Sequence, residues 1–113
     1  IAFAIRVVKT YKFLCAERKE YVLSRQLLKS GTAIGALIRE AVHAESKADF
    51  VHKLSIALKE ANETDYWLLI LKETEYLTVN EYEPLSESCD ELIRLLVTII
   101  KTSKISKQNG GPK

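Results

Sequence analysis

The sequence predicts an all-α fold, an up-down-up-down antiparallel four-helix bundle in one domain. Apolar residues recur at spacings of three and four along four separate stretches. The connections between those stretches are short, which sets consecutive helices side by side and antiparallel. The 113 residues include only two prolines and four glycines, and Pro112, Gly110 and Gly111 fall at the very end, so little interrupts long helices. A chain of this length makes one core.

The first helix spans 1–17. Phe3, Val7, Tyr11, Leu14 and Arg18 form one stripe, with Tyr11 expected in the core. Glu17-Arg18-Lys19-Glu20 has no apolar residue and marks the first turn. The second helix, 21–45, carries a seam of Leu23, Leu27, Ser30, Ile34, Leu37 and Ala41. Beside it runs a second stripe of Leu28, Gly31, Gly35, Ile38 and Val42. Glycine costs a helix about 1 kcal/mol relative to alanine. Gly31 and Gly35, one turn apart on one face, therefore mark a surface that another backbone or a flat ligand approaches closely.

Ser46-Lys47-Ala48-Asp49 starts the third helix, with the Ser46 hydroxyl as its cap. From there Phe50, Leu54, Ala57, Ala61, Thr64, Leu68 and Leu71 make a coiled-coil-like seam. Thr78-Val79-Asn80-Glu81 is a capping-box pattern for the fourth helix. Pro84 would then fall at its sixth position. A start near Glu83, with Pro84 at the first helical position, is the alternative. Leu85, Cys89, Leu92, Leu96 and Ile99 complete the last seam. The bundle is expected over 1–105, with 106–113 a disordered polar tail.

One bundle does not account for Tyr66-Trp67-Leu68-Leu69-Ile70-Leu71. Six apolar residues in succession circle the helix, and a four-helix bundle buries one face of each member. With the glycine face, this predicts a homo-oligomer whose interface draws on Gly31, Gly35, Ile38, Tyr66, Trp67 and Ile70.

The net charge of +2 conceals segregation. Residues 1–39 carry +6, residues 40–100 carry −8, and the remainder carries +4. Arg25, Lys29, Thr32, Ala36 and Arg39 fall on one stripe of the second helix. Arg6, Lys9 and Lys12 form a stripe on the first, with Arg18 and Lys19 at the turn. Cations in a band beside small residues suit a phosphate backbone, RNA or DNA. No aromatic interleaves this band, so such binding is expected to be nearly independent of base sequence. The same pattern also suits basic and acidic faces pairing between subunits, and spacing alone leaves both open.

Other chemistry finds little support. Glu40-Ala41-Val42-His43 matches the Glu-x-x-His pair of di-iron bundles, but the only other histidine gives Asp49-Phe50-Val51-His52, and both lie beside the turn at Ser46. No metal and no cofactor is expected. The glycine segment lacks the lysine of a phosphate loop and follows no strand. Glu60 and Glu63 have no cleft, and no nucleophile–histidine arrangement is visible, so no enzyme is expected. Cys15 and Cys89 read as reduced, unbridged core thiols of a cytosolic protein. No apolar run approaches 18 residues, so no membrane span is expected.

Ser24-Arg25-Gln26-Leu27-Leu28-Lys29-Ser30-Gly31-Thr32-Ala33-Ile34-Gly35-Ala36 resembles the signature of the bacterial four-helix-bundle protein family. So do Arg39-Glu40-Ala41, Ser46 to Phe50, Lys53 to Ala61 and Glu63 to Leu68. That family includes proteins encoded within intervening sequences of large-subunit ribosomal RNA genes and the accessory variability protein of diversity-generating retroelements. The resemblance covers nearly the whole chain. It implies a cytoplasmic, non-enzymatic bundle assembled as a homopentameric barrel. For retroelement members it implies nucleic-acid binding and a reverse transcriptase partner, with Arg25, Lys29 and Arg39 as contact candidates here. Residues 1–100 carry a net −2, which fits the intervening-sequence branch better.

Overall fold

The computed structural model describes residues 1–110, with side chains as far as Ile105. Its elements are α1 (Ala2–Glu17), α2 (Leu23–Val42), α3 (Lys47–Glu73) and α4 (Val79–Gly110). There is no strand among the described residues. The bundle is a rod of 57 × 22 × 19 Å.

Cross-helix contacts establish the up-down-up-down order. Along α1 and α2, Val7 meets Gly31 while Cys15 Sγ lies 3.8 Å from Ser24 Oγ. Along α2 and α3, the Ser30 and Thr64 hydroxyls are 3.0 Å apart, and Lys53 Nζ donates to Glu40 Oε1 at 3.0 Å. Cys89 Sγ on α4 donates to the Ala61 carbonyl of α3 at 3.3 Å. Arg6 Nη1 donates to Ser88 Oγ at 2.7 Å, while Arg18 reaches Glu81. Each pairing runs in opposite senses along the chain.

The predicted seams form the core. Val7, Leu14, Leu27, Leu68, Leu71, Leu77, Leu85 and Cys89 cluster around the turns at 18–22 and 74–78. Ile34, Ala41, Leu54, Ala57, Ala61, Leu96 and Ile100 form a second cluster toward the turn at 43–46. Phe3 and Ile93 pack against both clusters. Ile100, rather than Ile99, is the buried member of the last turn, and Tyr11 is only half-buried.

The helix ends follow capping chemistry. Asp49 N donates to Ser46 Oγ at 3.0 Å, as the spacing predicts. Thr78 and Glu81 close a reciprocal capping box: Thr78 N donates to Glu81 Oε1 at 2.8 Å, and Glu81 N donates to Thr78 Oγ1 at 3.2 Å. This settles the start of α4 at Val79, with Pro84 inside the helix. Proline there removes one ladder bond, to Asn80, whose residue is exposed to water. At the other end, the boundary expected at 105 is not a helix end. α4 continues to Gly110, and 111–113 of the expected tail lie outside the described residues.

Candidate functional site

The two glycines of α2 have different surroundings. A Cβ built on Gly31 would lie 2.7 Å from Val7 Cγ1 and 2.9 Å from Val7 Cγ2, distances that real Cβ atoms do not reach. Gly31 is therefore where α1 crosses α2 inside one chain. This corrects its expected place in an oligomer interface: the residue is buried by its own Val7. A Cβ on Gly35 would meet nothing within 4 Å. Gly35 faces a groove of about 860 Å³ between α1 and α2.

That groove brings together residues expected in two separate roles. Its apolar lining includes Ile5, Val8, Gly35, Ile38 and Val42. Lys9 and Lys12 from α1 and Arg39 and His43 from α2 also line it, and none of its lining residues carries a carboxylate. Glu40, next to Arg39 in sequence, is held by Lys53 on α3. That contact raises the Lys53 pKa through the hydrogen bond and the charge of Glu40. Arg25 and Lys29 are exposed on the stripe of α2 that contains Arg39. The groove thus gathers Lys9, Lys12 and Arg39, while Arg25 and Lys29 continue the stripe of α2 outside it.

The other two predicted cations are engaged within the chain. Arg18 donates to the Tyr76 carbonyl at 3.0 Å, pairs with Glu81 Oε2 at 3.3 Å, and lies 4.8 Å from the centre of the Phe13 ring. It is a strut from α1 to the α3–α4 turn, which corrects its assignment to the binding band. Arg6 bonds Ser88 and ties α1 to α4.

The run Tyr66 to Leu71 divides as its length implies. Leu68 and Leu71 are fully buried, Trp67 and Ile70 are half-buried, and Tyr66 and Leu69 remain 55% and 40% exposed. Tyr66 and Trp67 meet edge to face, with ring centroids 5.1 Å apart at 72°. Together with Gln26, Lys59, Asn62 and Glu63 they line a second groove, of about 790 Å³, between α2 and α3. Sequence spacing did not single out Gln26 or Asn62. They lie on different helices, and only the α2/α3 register brings them together.

The remaining titratable groups read as structural. Glu20 is buried, and its carboxylate accepts from the Val22, Leu23 and Ser24 amides at 3.2, 3.0 and 2.7 Å. Burial alone would raise its pKa, but the amides of Ser24, Leu23 and Val22 and the Ser24 hydroxyl together hold it below the usual carboxylate value. The charged break of the sequence is thus also the N-terminal anchor of α2. Cys15 and Cys89 are free thiols. Burial, aided by Asp65 and Asp90, pushes Cys89 up to about 12, so it stays a thiol. Asp65 is itself raised, first by burial and then by Asp90.

His43 and His52 are exposed, and the described residues gather no group of three or more His, Cys, Asp and Glu able to hold a metal ion. No helix among them is long and apolar enough to cross a membrane.

Comparison with known proteins agrees with this architecture. Residues 1–98 match the family described as 23S rRNA-intervening sequence protein. A crystal structure of a protein of unknown function from the S23 ribosomal protein family of Bacteroides thetaiotaomicron VPI-5482 is similar, with 57% identity and a TM-score of 0.87. The alignment covers 88% of this chain and 93% of that one. No curated protein matches. With nearly the whole bundle covered by the family match, the chain belongs to the 23S rRNA-intervening sequence protein family.

Proposed function

We propose that this chain is a non-enzymatic, cytoplasmic, oligomeric scaffold that binds structured nucleic acid through the basic face of α1 and α2. One observation carries the reading. Lys9, Lys12 and Arg39 converge on one groove whose lining contains no carboxylate, and Arg25 and Lys29 extend its charge along α2. Such a band neutralises phosphates without reading bases. Membership of a family named for 23S rRNA intervening sequences supports RNA as the first nucleic acid to test. Self-association draws support from aliphatic residues left exposed by the single chain, among them Ile5, Val42, Leu69 and Leu95. The family resemblance favours a pentameric ring.

A second reading has its own observation. Much of the lining of the same groove is apolar, and space over Gly35 is open. An acidic helix of a neighbouring copy would fit there, with Lys9, Lys12 and Arg39 pairing its carboxylates. Replacing Arg25, Lys29 and Arg39 by glutamine separates the two. The nucleic-acid reading expects weaker RNA binding by an intact oligomer. Unchanged binding with dissociation into monomers would establish the structural reading instead.

A further inference from the structure

We propose that the groove between α2 and α3 seats an unpaired nucleobase stacked on Tyr66. This rests on the nucleic-acid reading above and deepens it, because the basic band by itself recognises only backbone. Tyr66 is a large aromatic ring left more than half exposed. Trp67 packs edge-on against it, 5.1 Å between centroids, and holds the ring in place. An exposed aromatic face is a stacking platform for any base.

Beyond the two rings and Leu58, the groove is lined by the polar side chains of Gln26, Ser55, Lys59, Asn62 and Glu63. Asn62 Nδ2 donates to the Leu58 carbonyl at 3.1 Å, which fixes the carboxamide and leaves its oxygen as an acceptor. Gln26 supplies a second carboxamide from across the groove, on α2. Two carboxamides offer the donors and acceptors that a base edge requires. Glu63 also lines the groove. A carboxylate there repels phosphate and accepts from an exocyclic amino group, so it belongs on the base side and favours an amino-bearing base such as cytosine. Phosphate charge is met by Lys59 in the groove and by Arg25 and Lys29, one residue and one turn from Gln26 on α2. The basic band and the aromatic groove therefore flank the same helix. A hairpin or bulge with its duplex on the band can place an unpaired base in the groove.

Trp67 is the single tryptophan of the chain, so its fluorescence reports on this groove without a label. The test titrates the full chain with an oligocytidine strand and, separately, with an RNA duplex lacking unpaired bases. The single strand is expected to quench Trp67. Tyr66→Ala is expected to weaken single-strand binding on the order of tenfold while leaving duplex binding unchanged. Tyr66→Phe keeps the ring and is expected to keep the affinity. If Tyr66→Ala binds the single strand as the parent does, or if it breaks the oligomer while Tyr66→Phe does not, the stacking site is wrong and Tyr66 has another role. Duplex binding that persists in that case leaves the basic band standing. A parent that binds neither strand nor duplex overturns both.

Discussion

Gly31 and Gly35 lie one turn apart on the same face of α2, and the sequence offers no reason to treat them differently. In the fold they have different partners. Gly31 is filled by Val7 of the same chain, too closely for a Cβ. Gly35 opens onto a groove lined by cations and aliphatic side chains. The helix tolerates the first glycine because α1 must cross there. The second has no such use within the chain, and its small size matters only to something that enters the groove. A small-residue spacing thus shows where a close approach is possible, and the partner has to be read from the packing.

The largest effect expected from this contrast is at Gly31. Gly31→Leu drives a side chain into fully buried Val7 and is expected to destabilise the chain by about 3 kcal/mol or more, read from chemical unfolding. At Gly35 a Cβ has no neighbour within 4 Å, and the longer side chain would extend into the open groove. Gly35→Leu should leave the unfolding midpoint near that of the parent while filling the groove. Equal losses at both positions would show that Gly35 is as tightly packed as Gly31.

The turn that joins the two crossing helices comes next. Glu20→Ala removes the acceptor for three amides at the start of α2 and is expected to cost about 1–2 kcal/mol. The folded Glu20 pKa is depressed, so its contribution is fully present above the ordinary carboxylate value. It is lost as pH falls through the lower folded value. Parent and Glu20→Gln unfolding curves should therefore converge in that acidic window. A difference that grows on acidification would contradict the capping role.

The smallest expected change is a gain. Gly35→Ala replaces a glycine in open space and is expected to stabilise the chain by up to about 1 kcal/mol. Gly31→Ala should not show this gain, because its Cβ meets Val7 at 2.7 Å. A thermal melt of both alanine variants checks the sign at each position.

Most of the fold is legible because helical periodicity records which face is buried. Leu27, Ser30, Ile34 and Ala41 fall on the predicted seam and are all buried, as are Leu54 to Leu71 at the same phase on α3. The Ser46 cap and the Thr78–Glu81 box are local chemistry and can be read directly. The turns are less legible, because Lys19 and Glu75 occupy left-handed positions, φ 54° and 67°, where glycine is the usual signal. The site was legible only in part. Stripe spacing places Arg25, Lys29 and Arg39 on one face, but it cannot show that Arg18 turns to Tyr76 and Glu81 instead. Nor can it show that Gln26 and Tyr66 share a groove, since that depends on the register of two helices.

The proposed hold of the basic face of α1 and α2 on a phosphate backbone can be measured directly. Its most direct test is the salt dependence of binding to a structured RNA, comparing the parent with the chain in which Arg25, Lys29 and Arg39 are replaced by glutamine. Each phosphate contact contributes a slope of about −0.9 in log K against log salt for duplex nucleic acid. Steep loss of parent binding with salt is expected, with a variant slope shallower by roughly three such contacts at unchanged folding and oligomer size. A parent that binds with no salt dependence, or a variant with the parent's slope, would contradict it.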